Sequence, residues 1–275
     1  MNIENYTRKQ LPTVIGCIFC ATINTISASD LNTSPQLRIM PLGDSITAGY
    51  TDNPQWQHPF EFGYRSGLYN RLKEAGYNFV FVGESDEPFN KKFGDPTHGG
   101  TVIPTLDLKK VNQGGHRGYG GWGIQSIQKN ISTWIKIDRP NIILLLIGIN
   151  GMNDDSTKQL ELLVKTIFDT DKDVKLIVAQ ITPGSQYSKR LFDYNTYIRE
   201  TLVPTYKNKS FPINTVDQYT IFLTDPKDPK SIDVIRLSNG INHPTNQLYD
   251  KMAENWFQTV KQMFPNTKEH VGTGK

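Results

Sequence analysis

The sequence predicts an α/β protein in which a five-stranded parallel sheet lies between two layers of helices. Short apolar runs of strand length alternate along the chain with amphipathic segments of helix length, which is typical of a parallel sheet covered on both faces. One run, 141–147, is apolar after its first residue, as expected for a central strand that is buried on both sides. With 275 residues, 37% hydrophobic and 21% charged, the chain suits one large domain.

Strands and helices are predicted from the apolar pattern of each segment. The predicted strands are 37–42, 78–82, 141–147, 174–181 and 211–216. The predicted helices are 64–75, 124–135, 158–168, 191–202 and 246–263. Between them, 83–121 is rich in Gly and Pro and has no clear period, so a long loop is expected there. The polar tail after Pro265 is expected to fray.

The N-terminal segment has the pattern of a secretory signal. Arg8 and Lys9 precede a mostly apolar run over 11–26, and small residues follow at 27–29. The run is too short and too polar for a membrane span. We therefore expect a signal peptide, 1–29, and a mature domain, 30–275, with its core at about 37–264. The protein is then secreted or periplasmic, and we expect a monomer.

Both cysteines of the chain lie inside this segment. The stretch before Cys17 weakly matches a lipoprotein cleavage box, so lipid anchoring at Cys17 is the second interpretation and an ordinary helix the third. Cleavage at 28–29 removes Cys17 and Cys20 together, which leaves no disulfide, thiol nucleophile or cysteine metal site. The net charge of +3 comes without a basic block, so nucleic-acid binding has little support.

A Gly-Asp-Ser turn follows the first predicted strand at Gly43-Asp44-Ser45. Glycine permits a sharp turn there, and the turn lies at the carboxyl edge of the sheet, where open α/β proteins bind ligands. Ser45 is therefore the candidate nucleophile. Taken alone, the same serine is equally a helix cap, so its meaning depends on motifs further along the chain.

Three such motifs follow: Gly118-Tyr119-Gly120-Gly121-Trp122, the strand ending in Gly148-Ile149-Asn150, and Asn239-Gly240-Ile241-Asn242-His243-Pro244. Ser, Gly, Asn and His in this order resemble the four sequence blocks of the SGNH (GDSL) hydrolases. The narrower likeness is to carbohydrate esterase family 3, carried by Met40–Thr47, Gly63-Tyr64-Arg65, Phe81-Val82-Gly83 and Gly121-Trp122. The resemblance implies a flavodoxin-like α/β/α sandwich and ester hydrolysis.

The general base should be a histidine, because its ordinary pKa lies close to neutral pH. His243 precedes the last helix, where the family places its base. The other four histidines lie in loops or in the tail without a matching motif: His58, His98, His116 and His270.

The resemblance assigns the oxyanion donors to the N–H groups of Ser45 and Gly121 and to the side-chain amide of Asn150. Gly120 is an alternative to Gly121 because the two glycines are adjacent. Asn153, in Gly-x-Asn-Asp, is the alternative to Asn150, which is preferred because it follows the buried strand directly.

Three residues around the motifs are candidates for the substrate-binding side: Asp44, Arg65 and Trp122. Asp44 is expected to brace the turn, Arg65 to bridge site loops or cap a helix, and Trp122 to form a wall of the site. Other aromatic residues flank the motifs and suit sugar rings, although such residues more often pack: Trp56, Phe60, Phe89, Phe93 and Tyr119.

The family's acidic residue near the histidine is replaced here by Asn239. An acid in this role fixes the histidine tautomer and stabilises the imidazolium. Three interpretations remain open. A Ser-His dyad uses Asn239 or a backbone carbonyl, a carboxylate such as Asp233 substitutes, or the protein is a weak relative.

The sequence thus predicts a secreted serine esterase, without metal or cofactor, that removes O-acetyl groups from a polysaccharide such as xylan. A general short-chain esterase or lipase is the alternative, with other small acyl esters as substrates. A carbohydrate-binding relative with weak catalysis is another, and a metal-dependent deacetylase using His98 and His116 is the last.

Overall fold

In the computed structural model, which describes residues 35–50, 63–85, 87, 97–98, 101–102, 107–238 and 240–265, strands and helices alternate. The strands are β1 (Leu37–Gly43), β2 (Phe79–Phe81), β3 (Thr97–His98), β4 (Thr101–Val102), β5 (Arg117–Gly118), β6 (Ile142–Leu146), β7 (Lys175–Gln180) and β8 (Ile213–Asp217). The α-helices are α1 (Ser45–Ala48), α2 (Tyr64–Glu74), α3 (Asp107–Lys110), α4 (Ile124–Gln128), α5 (Ile131–Asp138), α6 (Ser156–Thr170), α7 (Lys189–Tyr197), α8 (Val203–Asn208) and α9 (Asn246–Met263). A π-helical turn over Ile198–Leu202 joins α7 to α8, and 3₁₀ turns lie at Thr220–Phe222 and Val234–Arg236.

Five parallel strands form the main sheet in the order β2-β1-β6-β7-β8. The sixth strand, β5, pairs in parallel with the end of β1, through Leu42 with Arg117 and Gly43 with Gly118. All five predicted strands are present, and the predicted sheet is confirmed. Because the strands are parallel, the segments that follow β1, β5 and β6 meet at one edge of the sheet.

Helices cover both faces of the sheet. On one side α2 packs against α9, and on the other α6 packs against α4 and α5. The central strand β6 is fully buried from Ile142 to Leu146, which explains its unbroken apolar sequence. The α9 residues that face the core repeat every four positions and are all buried: Leu248, Met252, Trp256 and Val260. The predicted three-layer architecture is therefore confirmed.

Two predicted helices differ from the observed ones. The segment 124–135 contains two helices, because the Asn130 side chain donates to the Ser126 carbonyl at 2.9 Å and competes with the helical ladder. The segment 191–202 changes from α-helix to π-helix after Tyr197. The expected long loop, 83–121, includes β3, β4, α3 and β5 within its described residues. No helix in the described part of the chain is both long and apolar enough to cross a bilayer.

Candidate active site

The candidate nucleophile lies where β1 ends. Gly43 closes the strand, Asp44 caps α1 by accepting the Ile46 N–H at 3.0 Å, and Ser45 is the first residue of the helix. A Cβ at position 43 would lie 2.0 Å from the Leu146 carbonyl oxygen. Only glycine therefore allows β1 to approach β6 this closely while the chain turns into α1.

Ser45 and His243, 198 positions apart, share a hydrogen bond of 2.8 Å between Oγ and Nε2. Both residues are buried, with 6% of Ser45 and 8% of His243 exposed. The segment before α9 presents the histidine: the Ser238 N–H donates to the His243 carbonyl at 2.8 Å, and Thr245 caps the helix. A neutral serine donates its O–H to Nε2, which is the geometry needed for a base to remove that proton.

Tyr50 lies beside the imidazole. The ring centroids of Tyr50 and His243 are 5.9 Å apart, with planes 31° from parallel. The Tyr249 hydroxyl donates to the Tyr50 carbonyl at 2.6 Å. The histidine therefore packs against an aromatic ring that α9 itself holds in place.

Asp44 carries a perturbed carboxyl group next to the nucleophile. The side chain is fully buried, and its Oδ2 has no hydrogen-bond partner among the described residues. Burial raises the pKa of Asp44 to about 7, opposed by the Ile46 N–H and by the charge of His243. This carboxyl therefore changes charge near neutral pH, within electrostatic range of the histidine.

The predicted oxyanion donors come from two turns at the same sheet edge. Gly121 follows β5 with a φ of +75°, a conformation that favours glycine. The Asn150 amide donates to the Trp122 carbonyl at 3.1 Å, which places this side chain beside the Gly121 turn. Neither the Ser45 nor the Gly121 N–H donates to an acceptor among the described residues.

The two alternative donors are less well placed. The Gly120 N–H donates to the Glu87 carboxylate at 2.8 Å. Asn153 is exposed, and its side chain accepts the Asp155 N–H and donates to the Gly151 carbonyl within its own turn. These contacts favour Gly121 over Gly120, and Asn150 over Asn153.

Arg65 is fully buried. Its guanidinium donates to the Thr47 and Ala48 carbonyls, at 3.1 and 3.0 Å, and to Gly114 at 3.4 Å. Burial lowers the pKa of this group to about 10. Arg65 therefore supports the α1 turn. This position does not favour the contact with substrate that was considered from the sequence.

Trp122 belongs to an aromatic stack. Its ring lies 4.3 Å from that of Tyr119, which lies 5.5 Å from Trp134. Arg117 covers the Trp134 ring at 5.2 Å and donates two hydrogen bonds to Asp138, at 2.8 and 3.0 Å. The half-buried Trp122 is thereby held in place beside the Gly121 turn.

His116 does not have the surroundings of a metal ligand. Its Nδ1 accepts the Gly118 N–H, so Nε2 carries the proton and donates to the Glu87 carbonyl, both at 3.1 Å. Burial holds the pKa of His116 well below its ordinary value. Within the described residues, no group of three or more His, Cys, Asp or Glu side chains is placed to hold a metal.

Several sequence predictions fall outside the described residues. These are the signal peptide with Cys17 and Cys20, the position of Asn239, and the side chains of His58, His98, His270, Trp56, Phe60, Phe89 and Phe93. Asp233, the substitute acid considered above, is described: its carboxylate accepts from Arg236 at 2.9 Å and from the Ile235 N–H at 3.2 Å. It is thus engaged within its own turn.

Glu87 and Tyr50 are two site residues that the sequence analysis missed. Glu87 is one of three acidic residues over 84–87, and its carboxylate binds Tyr50 and Gly120. Neither residue belongs to a recognised motif. The signal available in the sequence was only that the segment between β2 and β5 is long, which is common for functional loops.

No protein-family model matches the chain. A multidomain esterase from Ruminococcus flavefaciens is 27% identical in an alignment of 277 positions that covers 90% of this chain and 32% of the esterase. The chain therefore spans about a third of the length of this curated relative.

Solved structures of carbohydrate esterases share the fold. A family 3 carbohydrate esterase from Clostridium thermocellum matches with a TM-score of 0.58 and 24% identity, covering 83% of this chain and 98% of that one. A family 3 enzyme from Talaromyces cellulolyticus matches with a TM-score of 0.58 and 20% identity, over 82% and 97%. In fold and in the order of its motifs the chain thus resembles the SGNH hydrolases, carbohydrate esterase family 3 among them, and the resemblance noted from its sequence is confirmed.

Proposed function

We propose that the protein is a secreted serine esterase that removes O-acetyl groups from a polysaccharide such as xylan. The observation that carries the proposal is the 2.8 Å hydrogen bond between Ser45 Oγ and His243 Nε2. It joins two motifs that are far apart in the chain and lies at the carboxyl edge of a parallel sheet. The proposed secretion depends on the sequence of 1–29.

In the acylation step, His243 Nε2 accepts the hydroxyl proton of Ser45 as Oγ attacks the acetyl carbonyl carbon. The carbonyl π electrons move to oxygen, and the tetrahedral oxyanion is stabilised by the N–H groups of Ser45 and Gly121 and by the Asn150 amide. Collapse of this intermediate breaks the bond to the sugar oxygen, which takes the proton from His243. Water, activated by the same histidine, then releases acetate and restores Ser45.

The imidazolium formed in each step needs negative charge nearby, and Asn239 supplies none. Asp44 is suited to this role, because the charge of His243 lowers the pKa of the Asp44 carboxyl. The attraction acts in both directions, so an ionised Asp44 stabilises the positive charge that develops on the imidazole during the reaction. We assign to Asp44 the electrostatic part of the missing acid's role, whereas Asp233 is neutralised by Arg236.

The test is acetate release from acetylated xylan and from 4-nitrophenyl acetate. Ser45→Ala and His243→Ala should abolish release from both substrates, while the matched control Ser185→Ala, in the loop before α7, should leave it unchanged. Activity on the activated ester with none on xylan would favour a general short-chain esterase. Failure of the wild type on both substrates, or release that survives Ser45→Ala, would contradict the proposal.

A further inference from the structure

The Glu87 carboxylate joins two parts of the candidate site. Its side chain is buried, with 4% of the residue exposed. Oε2 accepts a hydrogen bond from the Tyr50 hydroxyl and another from the Gly120 N–H, both at 2.8 Å. One oxygen atom therefore contacts residues that are 70 positions apart in the sequence.

The main chain of Glu87 is fixed as well. Its carbonyl accepts from His116 Nε2 at 3.1 Å, and its N–H donates to Ser85 Oγ at 3.3 Å. Ser85 Oγ in turn donates to the Gly118 carbonyl at 2.7 Å. The carboxylate is thus held against β5, the strand that leads into the Gly121 turn.

Each group that Glu87 binds is next to a reacting group. Tyr50 packs against the His243 ring at 5.9 Å. Gly120 immediately precedes Gly121, whose N–H is the proposed oxyanion donor. Apart from its chain neighbours, no atom of the described residues would lie within 4 Å of a Cβ on Gly121. Among the described residues, the turn is therefore restrained mainly by hydrogen bonds, from the Trp122 N–H to the Tyr119 carbonyl at 3.2 Å and from the Gly120 N–H to Glu87 at 2.8 Å.

We propose that Glu87 is a positioning residue. It fixes the Gly120-Gly121 turn, which carries the proposed oxyanion donor, relative to Tyr50, which packs against the proposed general base His243. This inference rests on the proposed esterase function. An oxyanion donor must lie within about 2.7–3.1 Å of the developing charge to be effective. A displacement of about 1 Å can cost roughly 100-fold in rate, so a freely moving Gly120-Gly121 turn would lower kcat.

The experiment compares Glu87→Gln, Glu87→Ala and Tyr50→Phe with the control Glu84→Gln. Glu84 is on the same loop, with 78% of its side chain exposed. On 4-nitrophenyl acetate we expect kcat to fall by about 10- to 100-fold in Glu87→Ala, with KM within twofold of wild type. Glu87→Gln keeps one acceptor oxygen and should recover part of this loss. Tyr50→Phe removes one contact and should lose less than Glu87→Ala.

A second measurement follows the turn without using activity. In ¹H–¹⁵N spectra, Glu87→Gln should shift the Gly120 and Gly121 amide resonances, whereas Glu84→Gln should leave both unchanged. Unshifted amides, a kcat within twofold of wild type in both Glu87 variants, or a loss confined to KM would overturn the inference. A wild-type protein that hydrolyses no ester would instead contradict the proposed function. The amide shifts would still show whether Glu87 restrains the Gly120-Gly121 turn.

Discussion

Replacing Asp44 with asparagine removes the charge of a fully buried carboxyl group and keeps its shape. Asparagine also retains the Oδ1 that accepts the Ile46 N–H, and it caps helices about as well as aspartate. Burial raises the pKa of Asp44 from its ordinary value of 3.8 to about 7. The variant therefore isolates the free energy associated with this one titration.

The sign of the effect follows from the two pKa values. Between about pH 4 and pH 7, the folded protein keeps the Asp44 proton while the unfolded chain releases it. The stabilising contribution of Asp44 is complete below the pKa of the unfolded chain, 3.8, and is lost as the pH rises through the pKa of the folded protein, about 7. A difference of roughly 3 pH units corresponds to about 4 kcal/mol over the whole range, and to roughly 2.5 kcal/mol between pH 5 and pH 8. Asparagine does not titrate, so the stability of Asp44→Asn does not fall with pH through this group.

Urea unfolding of wild type and Asp44→Asn at pH 5 and pH 8 measures the difference. Groups that titrate in both proteins contribute equally to the two free energies of unfolding, so their contributions cancel in the difference. The free energy of unfolding of the variant relative to wild type should therefore rise by roughly 2.5 kcal/mol from pH 5 to pH 8. Asp154→Asn, which alters a carboxylate that is 91% exposed, should show no comparable change. Parallel stability curves for wild type and Asp44→Asn would refute the reasoning.

Three further predictions concern the sheet, the oxyanion site and the core. Gly43→Ala should destabilise the protein by about 3 kcal/mol or more in urea unfolding, because the new Cβ would lie 2.0 Å from the Leu146 carbonyl oxygen. Asn150→Ala should lower kcat on 4-nitrophenyl acetate by about 10²- to 10³-fold, whereas Asn153→Ala should change kcat less than twofold. A larger loss of kcat in Asn153→Ala would instead identify Asn153 as the oxyanion donor. Trp256→Ala should cost about 3–5 kcal/mol of stability in urea unfolding, because this side chain is fully buried, and a loss below 1 kcal/mol would contradict its place in the core.

The sheet was predictable because its signals are local. Most strands of the main sheet contain an apolar run of their own, whereas β8 includes the polar residues Asn214, Thr215 and Asp217. The central strand β6 lacks alternation because both of its faces are covered. The face of α9 repeats every four residues from Leu248 to Val260, so its predicted bounds match the observed ones. Short elements give no such signal: β5 has two residues, and only its pairing with β1 defines it.

The site was predictable only where a motif marks it. Ser45 and His243 belong to motifs, and the fold brings them within hydrogen-bonding distance. The role of Arg65 depends on carbonyl groups 17, 18 and 49 positions away, and that of Glu87 on groups 33 and 37 positions away. Spacing within a single sequence contains no information on such contacts, so the buried charges that support the motifs became visible only in three dimensions.

Asp44 links the stability of the fold to its proposed chemistry. Above pH 7, an ionised Asp44 costs the folded state about 4 kcal/mol, and the same charge favours the imidazolium that His243 forms during reaction. Asp44→Asn should therefore be more stable than wild type at pH 8 and also slower, as expected where an active site holds an unfavourable buried group. At pH 5 the Asp44 carboxyl of the wild type is itself protonated, so the difference in kcat between wild type and Asp44→Asn should be smaller than at pH 8. A variant that gained stability at pH 8 with no loss of kcat would show that the buried charge is not used in catalysis.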